Sequence, residues 1–345
     1  MRSPASTVLS VFLALVQAQV AFAAAGLPDG LWLQEGYGRL IEVNNGAVSN
    51  YQVTAAACVA GDDSDEEFLA GATSGAIDVI PVSKAGETGN ELVLAPIDGN
   101  VYRFRQIETM PARCESPLSG TDTRANLDVF WHTFDENYAF FAERGVDWKS
   151  AADHHTASAQ PGTLFDTLVD MVRPLGDPHI TIDAPHRAFR GSAYALADQE
   201  NRLWRLVRRK YLQGNYVTQL EWLSHGWLDD RTAYLRIRAM AAFSLYERAG
   251  PLEGLPRLDA AMERIVEDVA EAERLVIDLR YNSGGEDLLA RRIAEYFTDQ
   301  PRHAYSKAAR VGDEHSEPVR FRIEPAGEKV FKRPIVVLVN GATVS

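Results

Sequence analysis

Two stretches near the end of this chain place polar groups suited to acyl-transfer chemistry directly after apolar runs. The run 335–339 leads through the turn 340–344 to Ser345, where a hydroxyl could act as a nucleophile. The run 275–279 leads to Asn282-Ser283-Gly284-Gly285, and these two glycines could point backbone N–H groups at a bound oxyanion. A tight turn that needs positive φ is the alternative use of the same glycines.

A third stretch, Asp177-Pro178-His179, places an imidazole between a predicted helix at 164–175 and a short strand at 180–182. Taken alone, a histidine such as His179 at the end of an element is more often structural than catalytic. The remaining histidines nearby do not have the spacing of a metal site. The sequence therefore predicts neither a metal nor an organic cofactor.

The strands and helix that must position these polar groups are predicted to form an α/β unit. Strand 233–238, an amphipathic helix at 258–272 and strand 275–279 follow one another, an order that favours a parallel pair joined by a right-handed crossover. The runs 275–279 and 335–339 are predicted to be buried strands whose carboxyl ends lie side by side, where ligands sit in open α/β sheets. Ser345 does not match a Gly-x-Ser-x-Gly elbow, which disfavours an α/β-hydrolase.

Two further regions precede this unit. Residues 24–114 contain short alternating runs separated by turn residues, including a hairpin around Asn44-Asn45-Gly46, and predict a β-rich accessory module. Residues 115–185 predict a helical domain, in which Leu127 and the aromatic residues from Phe130 to Phe141 recur at helical spacing. We expect Asp122 or Thr123 to cap this first helix and Gly145 to end it, with the aromatic stripe as a packed core face.

Composition and the amino terminus restrict the class of protein. The formal charge of −13 over 345 residues argues against binding to nucleic acid or to anionic lipid. Residues 1–23 have the charged start, apolar centre and small-x-small end of a signal peptide, which predicts export to the periplasm or the extracellular space. We expect no membrane attachment after cleavage, and the oligomeric state stays open.

The chain has two cysteines, Cys58 and Cys114. An even count and an exported protein favour a disulfide between them, which makes the pair a disulfide candidate. Two separate buried thiols are the alternative.

The segment 278–285, together with 339–345, resembles the tail-specific (C-terminal-processing) serine peptidases and the tricorn protease core. The resemblance implies an α+β multidomain protein whose residues 186–345 form part of a crotonase-like (ββα) core. It implies Ser345 as nucleophile and Gly284 or Gly285 as oxyanion-binding residue. In the tricorn-like branch a histidine at the turn of His179 is the general base, whereas the tail-specific branch uses a lysine after the serine and usually carries a PDZ domain. Residues 187–230 are short for a PDZ domain, so we favour the serine and histidine pair.

The sequence thus predicts an exported serine peptidase that acts on peptide or protein substrates. Because Ser345 is the last residue, the second oxyanion donor and the acid that orients the histidine would have to follow it. We therefore expect the chain as given to be the amino-terminal part of a peptidase and to be inactive alone. A non-catalytic peptide-binding or scaffolding protein with the same fold is the alternative.

Overall fold

The computed structural model describes residues 27–45, 47–60, 77–82, 91–96, 100–114, 122–150, 163–191, 197–241 and 251–344. The predicted signal segment 1–23 and Ser345 lie outside the described residues. The fold is mixed α/β, with several sheets and helices. Within these ranges, no helix has the length and apolar character needed to cross a bilayer.

An antiparallel sheet of seven described strands forms the amino-terminal part, in the order β4-β3-β2-β1-β7-β6-β5. Its strands are β1 Gly30–Gln34, β2 Arg39–Asn44, β3 Ala47–Val53, β4 Cys58–Ala60, β5 Ile77–Val82, β6 Glu91–Pro96 and β7 Tyr102–Ile107. The predicted hairpin is present, with Asn44 opposite Ala47. Cys58 of β4 and Cys114 of a 3-10 turn are joined by a disulfide, and their Cα atoms are 4.8 Å apart.

Helices dominate the next region. They are α1 Thr123–Asn137, α2 Phe141–Arg144 and α3 Leu164–Val172, and a 3-10 turn Arg173–Leu175 extends the last of them. Of the two predicted caps, Asp122 and Thr123, it is Asp122 that caps α1, by accepting hydrogen bonds from the amides of Arg124 and Ala125. A strand pair, β8 Thr181–Ala184 and β9 Arg187–Arg190, follows.

The prediction of a single helix running to Gly145 is wrong. Helix α1 ends at Asn137, and Tyr138 takes an extended conformation with φ −76° and ψ 120°. Gly145, with φ 65°, instead ends the short helix α2. The aromatic side chains still form one packed cluster across the break, with the rings of Phe141 and Trp148 stacked at 5.3 Å. The interpretation of the stripe as a core face is confirmed.

A mixed sheet of five described strands, in the order β10-β11-β12-β13-β18, carries the candidate site. Its strands are β10 Tyr216–Gln219, β11 Leu223–Trp227, β12 Thr232–Ile237, β13 Arg274–Asp278 and β18 Ile335–Leu338. Helices α4 Ala197–Leu206, α5 Pro251–Asp268 and α6 Asp287–Glu295 accompany it. The apolar face of α5 packs on β12 and β13 in a core that includes Met262, Ile265 and Leu275, which are fully buried.

Strands β12, β13 and β18 run parallel, and Asp278 pairs with Leu338 at their carboxyl ends. The predicted side-by-side arrangement of the strand ends is therefore confirmed. The prediction that β18 is buried is wrong, since the side chains of Val336 and Val337 are about half exposed. The reason is that β18 is the last described strand of the sheet and has β13 on one side only.

A ribbon of β14 Arg302–Lys307 with β17 Val319–Ile323, and a small hairpin of β15 Arg310–Val311 with β16 Glu314–His315, lie between α6 and β18 in the chain. Arg310 connects this hairpin to the helical region. Its Nη1 donates to the carbonyl of Tyr138 at 2.9 Å, and its guanidinium lies 5.9 Å from the centre of the Phe141 ring.

Candidate active site

The four residues Asn282, Ser283, Gly284 and Gly285, here called the glycine corner, follow β13. The side chain of Asn282 is 2% exposed, and its Nδ2 donates to the carbonyl of Ile237 at 2.8 Å. Its Oδ1 accepts the amide of Gly284 at 2.8 Å. The buried amide side chain therefore fixes the corner to the end of β12 and engages one of the two candidate oxyanion donors.

Both glycines are required by the path of the backbone. Gly284 has φ 78° and Gly285 has φ 142°, values that residues with a Cβ rarely adopt. A Cβ on Gly285 would lie 2.4 Å from the carbonyl oxygen of Met240. Hydrogen bonds from Met240 N to Gly284 O at 2.8 Å and from Glu286 N to Met240 O at 2.9 Å hold this close approach. In the part of the chain that the structure describes, the amide of Gly285 donates to no acceptor.

The second turn, residues 340–344, follows β18 and is called the Asn340 turn. Oδ1 of Asn340 accepts the amide of Tyr281 at 3.1 Å and the amide of Ala342 at 3.2 Å. Oγ1 of Thr343 donates to the carbonyl of Leu279 at 2.8 Å and accepts the amide of Asn340 at 3.1 Å. These bonds tie the turn to the residues that lead into the glycine corner.

A direct backbone bond completes the junction, because the amide of Val344 donates to the carbonyl of Asn282 at 3.0 Å. The structure thus brings the Asn340 turn and the glycine corner together, as the sequence predicted for the two strand ends. Ser345, the candidate nucleophile, lies outside the described residues.

Next to this junction lies an ion pair with a buried carboxylate, which was not predicted from the sequence. Asp278 is 2% exposed and accepts hydrogen bonds from Nε of Arg280 at 2.9 Å and Nη2 of Arg280 at 2.7 Å. The hydroxyl of Tyr234 donates to the same carboxylate at 2.6 Å. Burial alone would raise the pKa of the Asp278 carboxyl, but the bonds from Arg280 and Tyr234 outweigh it and lower this pKa below its ordinary value. The carboxylate is therefore charged and fixes the end of β13.

His179 lies in a turn whose acidic residue faces its ring. Both its amide and its Nδ1 lie within hydrogen-bond distance of Oδ1 of Asp177, at 2.9 and 3.0 Å. The side chain of His179 is 65% exposed, whereas that of Asp177 is 7% exposed. The ring is therefore open to a reactant on the side away from Asp177.

Asp177 has further partners in the helical region. The hydroxyl of Tyr138 donates to its Oδ2 at 2.8 Å, and Nη2 of Arg144 lies 3.8 Å from the same oxygen. Burial and the bond to Asp177 raise the pKa of the Tyr138 hydroxyl to about 12, so this group stays protonated at neutral pH. Neither Asp177 nor Tyr138 was predicted from the sequence as a site residue. The sequence does place the carboxylate of Asp177 two positions before the imidazole of His179, and this spacing is typical of an Asx turn.

The turn that contains His179 and the junction of the glycine corner with the Asn340 turn are two separate groups of contacts. Among the residues that the structure describes, no hydrogen bond or ion pair joins His179 to the glycine corner or to the Asn340 turn. Arg310, in the hairpin β15–β16, joins the helical region to the segment 231–345 by its bond to the carbonyl of Tyr138. No group of three or more metal-binding side chains occurs within the described ranges.

The glycine corner and the Asn340 turn both lie in a segment that matches a known protein family. Residues 231–345, which contain β12, β13, β18, the glycine corner and the Asn340 turn, match the model of peptidase family S41. No curated protein matches the sequence. The resemblance to the tail-specific peptidase family is thus confirmed over residues 231–345, and the match supports a serine peptidase.

Three solved structures are similar to a larger part of this chain. A putative peptidase from Parabacteroides merdae has a TM-score of 0.52 and 21% identity, over 65% of this chain and 69% of that chain, so the two share a fold. A lipoprotein from Streptococcus agalactiae has a TM-score of 0.33 and 12% identity, covering 69% of this chain and 71% of that chain. A photosystem II D1 C-terminal processing protease has a TM-score of 0.34 and 11% identity, covering 65% of this chain and 76% of that chain.

Proposed function

We propose that this protein is an exported serine peptidase that hydrolyses peptide bonds with Ser345 as nucleophile and His179 as base. The observation that carries the proposal is the hydrogen bond from Val344 to Asn282, which brings the residue before Ser345 to the glycine corner. This bond joins the segment that leads to the proposed nucleophile to the segment that contains the candidate oxyanion donors. The match of residues 231–345 to a peptidase family supports the same reaction.

Gly285 is the oxyanion donor in this proposal. The amide of Gly284 is engaged by Oδ1 of Asn282 at 2.8 Å, whereas the amide of Gly285 has no acceptor within the described residues. A donor without an internal partner can bind the oxygen on which negative charge develops, and such a donor typically lowers the barrier by about 3 kcal/mol. Of the two alternatives that the sequence left open, Gly284 and Gly285, the proposal therefore favours Gly285.

His179 supplies the proton transfers. Its Nδ1 faces Asp177, so Nε2 is the nitrogen available to Ser345. As the bond between Oγ of Ser345 and the substrate carbonyl forms, Nε2 takes the hydroxyl proton. The same nitrogen then gives that proton to the leaving amine, and a water molecule releases the acyl group in the reverse sequence of transfers.

The remaining parts of the chain fit this role. We assign residues 24–114 to the accessory β-rich module, 115–185 to the helical domain and 186–345 to a crotonase-like peptidase core. Export through the signal 1–23 is supported by the disulfide between Cys58 and Cys114, because such bonds persist in oxidising compartments. The substrates of the proposed enzyme are peptides or unfolded protein segments that can reach the strand ends.

Hydrolysis of a mixed peptide library by the native protein, prepared at its natural full length, followed by mass spectrometry, tests the proposal. We expect cleavage products that disappear in Ser345→Ala and fall at least ~100-fold in His179→Ala. Ser306→Ala, at an exposed serine of β14, is the matched control and should cleave like the native protein. Peptide binding without cleavage would overturn the proposal in favour of a non-catalytic peptide-binding protein.

A further inference from the structure

We infer that Asp177 is the residue that positions His179, so that the histidine and its orienting acid come from one turn, Asp177-Pro178-His179. This inference rests on the proposed function. It replaces the expectation that the orienting acid follows Ser345 in the chain. The observation is the 3.0 Å separation between Nδ1 of His179 and Oδ1 of an almost fully buried carboxylate.

The direction of the hydrogen bond follows from the chemistry of the two groups. Burial alone would raise the pKa of the Asp177 carboxyl, but bonds from the His179 amide and the Tyr138 hydroxyl outweigh it and lower this pKa. An ionised carboxylate only accepts hydrogen bonds, so Nδ1 of His179 must carry the proton. In the neutral ring Nε2 then holds the lone pair, as a general base requires.

Asp177 itself is held from several sides. Tyr138 and Arg144 face its second oxygen, Oδ2, at 2.8 and 3.8 Å. The ring of Tyr138 packs 4.9 Å from Phe141 and 5.8 Å from Phe134, so its hydroxyl is anchored by the aromatic cluster. A Cβ on Gly191 would lie 2.1 Å from the carbonyl oxygen of Asp177, which shows how closely the chain after β9 covers the turn.

Tyr138, whose hydroxyl bonds to Asp177, lies at the break between α1 and α2. The backbone of Tyr138 is extended rather than helical, and in this conformation its hydroxyl bonds to Asp177. The carbonyl of Tyr138 accepts from Arg310 of the hairpin β15–β16. The positioning group is thus connected to the region that also contains the peptidase match.

In the reaction, Asp177 acts through the ring and touches no reacting atom. When Nε2 of His179 takes the proton from Oγ of Ser345, the ring becomes positively charged, and the adjacent carboxylate stabilises that charge. The proton passes on to the leaving amine as the carbon–nitrogen bond breaks, and Asp177 remains unprotonated throughout.

The first test is the tautomer of His179, measured by long-range 1H–15N correlation spectra of the native protein at a pH where the ring is neutral. We expect the Nδ1–H tautomer to dominate, and Asp177→Asn to shift the population towards Nε2–H, since the new amide can donate to Nδ1. Asp183→Asn is the matched control, because Asp183 is an exposed acid paired with Arg190 on the adjacent strands. A dominant Nε2–H tautomer in the native protein, or no change in Asp177→Asn, would overturn the inference.

The second test is kinetic. We expect Asp177→Asn to lower kcat by about 10²- to 10⁴-fold with KM changed less than about threefold, because the substrate does not contact the acid. Tyr138→Phe keeps the ring packing and removes one bond to Asp177, so a drop in kcat of about three- to tenfold is expected even if Asp177→Asn does not fold. Full activity of a folded Asp177→Asn would contradict the inference.

The two tests separate failure of the inference from failure of the proposed function. The tautomer of His179 can be read whether or not the protein cleaves peptides. A dominant Nδ1–H form in a protein without any peptidase activity would retain the positioning geometry and refute the peptidase. Cleavage that depends on Ser345 and His179 but is unchanged in Asp177→Asn would refute the positioning role alone.

Discussion

The amide of Val344 donates a hydrogen bond to the carbonyl oxygen of Asn282 at 3.0 Å, across the ends of two parallel strands. Asn282 in turn accepts the amide of Gly284 through its side chain at 2.8 Å. A single buried asparagine therefore sets both the conformation of the glycine corner and the position at which the Asn340 turn ends. The proposed nucleophile and oxyanion donor depend on this shared residue.

Thr343→Val should weaken the junction without changing the shape of the side chain. It removes the hydroxyl that donates to Leu279 and accepts from the amide of Asn340, at a cost of about 1–3 kcal/mol in the free energy of unfolding. We expect kcat for peptide cleavage to fall about 10- to 100-fold, because a displaced nucleophile reacts slowly. Thr343→Ser keeps the hydroxyl and should stay close to the native rate. Equal rates for the valine and serine variants would contradict the role of this hydroxyl.

Gly285→Ala should be strongly destabilising. The new Cβ would lie 2.4 Å from the carbonyl of Met240, and the residue would keep a φ of 142°. We expect the free energy of unfolding to fall by about 3 kcal/mol in urea denaturation. Gly341→Ala is the matched control, since a Cβ there meets no atom within 4 Å, and its change should stay within about 0.5 kcal/mol. Similar denaturation midpoints for the two variants would show that Gly285 does not approach Met240 so closely.

Acid should destabilise the protein through Asp278. The folded pKa of this carboxyl is lowered below the ordinary value of 3.8, and the pKa of its partner Arg280 is raised, so both shifts describe the same attraction. The stabilisation is complete above the ordinary value and is lost as the pH falls through about 4 towards the lowered value. Urea midpoints measured between pH 6 and pH 2 should therefore fall steeply in the native protein.

Asp278→Asn should flatten that pH dependence and lower stability at neutral pH by about 3 kcal/mol, because Arg280 loses a buried partner. Asp313→Asn, at an exposed acid in the turn between β15 and β16, is the control and should follow the native curve. An Asp278→Asn curve parallel to the native one would mean that other carboxylates cause the loss of stability in acid.

Reduction of the disulfide should destabilise the amino-terminal sheet. Cys58 and Cys114 are separated by 56 positions, and closing a loop of that length stabilises the folded state by about 4 kcal/mol in the chain-entropy model. We expect a lower urea midpoint in the presence of reductant. In the double variant Cys58→Ser with Cys114→Ser, reductant should have no further effect. A native midpoint that does not respond to reduction would contradict this stabilisation.

Much of the frame around the site could be predicted from local pattern. Apolar runs flanked by glycine turns predicted β13 and β18, and the strand, helix, strand order predicted the parallel pairing of β12 with β13. The cap at Asp122 was also evident, because aspartate before an apolar-periodic segment is a common helix start. These features depend on residues close together in sequence.

Other features depend on contacts between distant residues and could not be predicted. The aromatic spacing continues through Tyr138, but the helix ends at Asn137, and the hydroxyl of Tyr138 bonds to Asp177, 39 positions later. The apolar run of β18 does not reveal that Val336 and Val337 are half exposed. Which glycine amide is engaged follows from the orientation of the Asn282 side chain, which no sequence pattern encodes.

Labelling of the native protein with a fluorophosphonate, followed by peptide mapping, tests whether Ser345 is the nucleophile and His179 its base, because the reagent reacts preferentially with a serine activated by a base. We expect one modified residue, Ser345, and a labelling rate at least ~100-fold lower in His179→Ala. Modification of a different serine, or labelling of Ser345 at the same rate without His179, would contradict these roles.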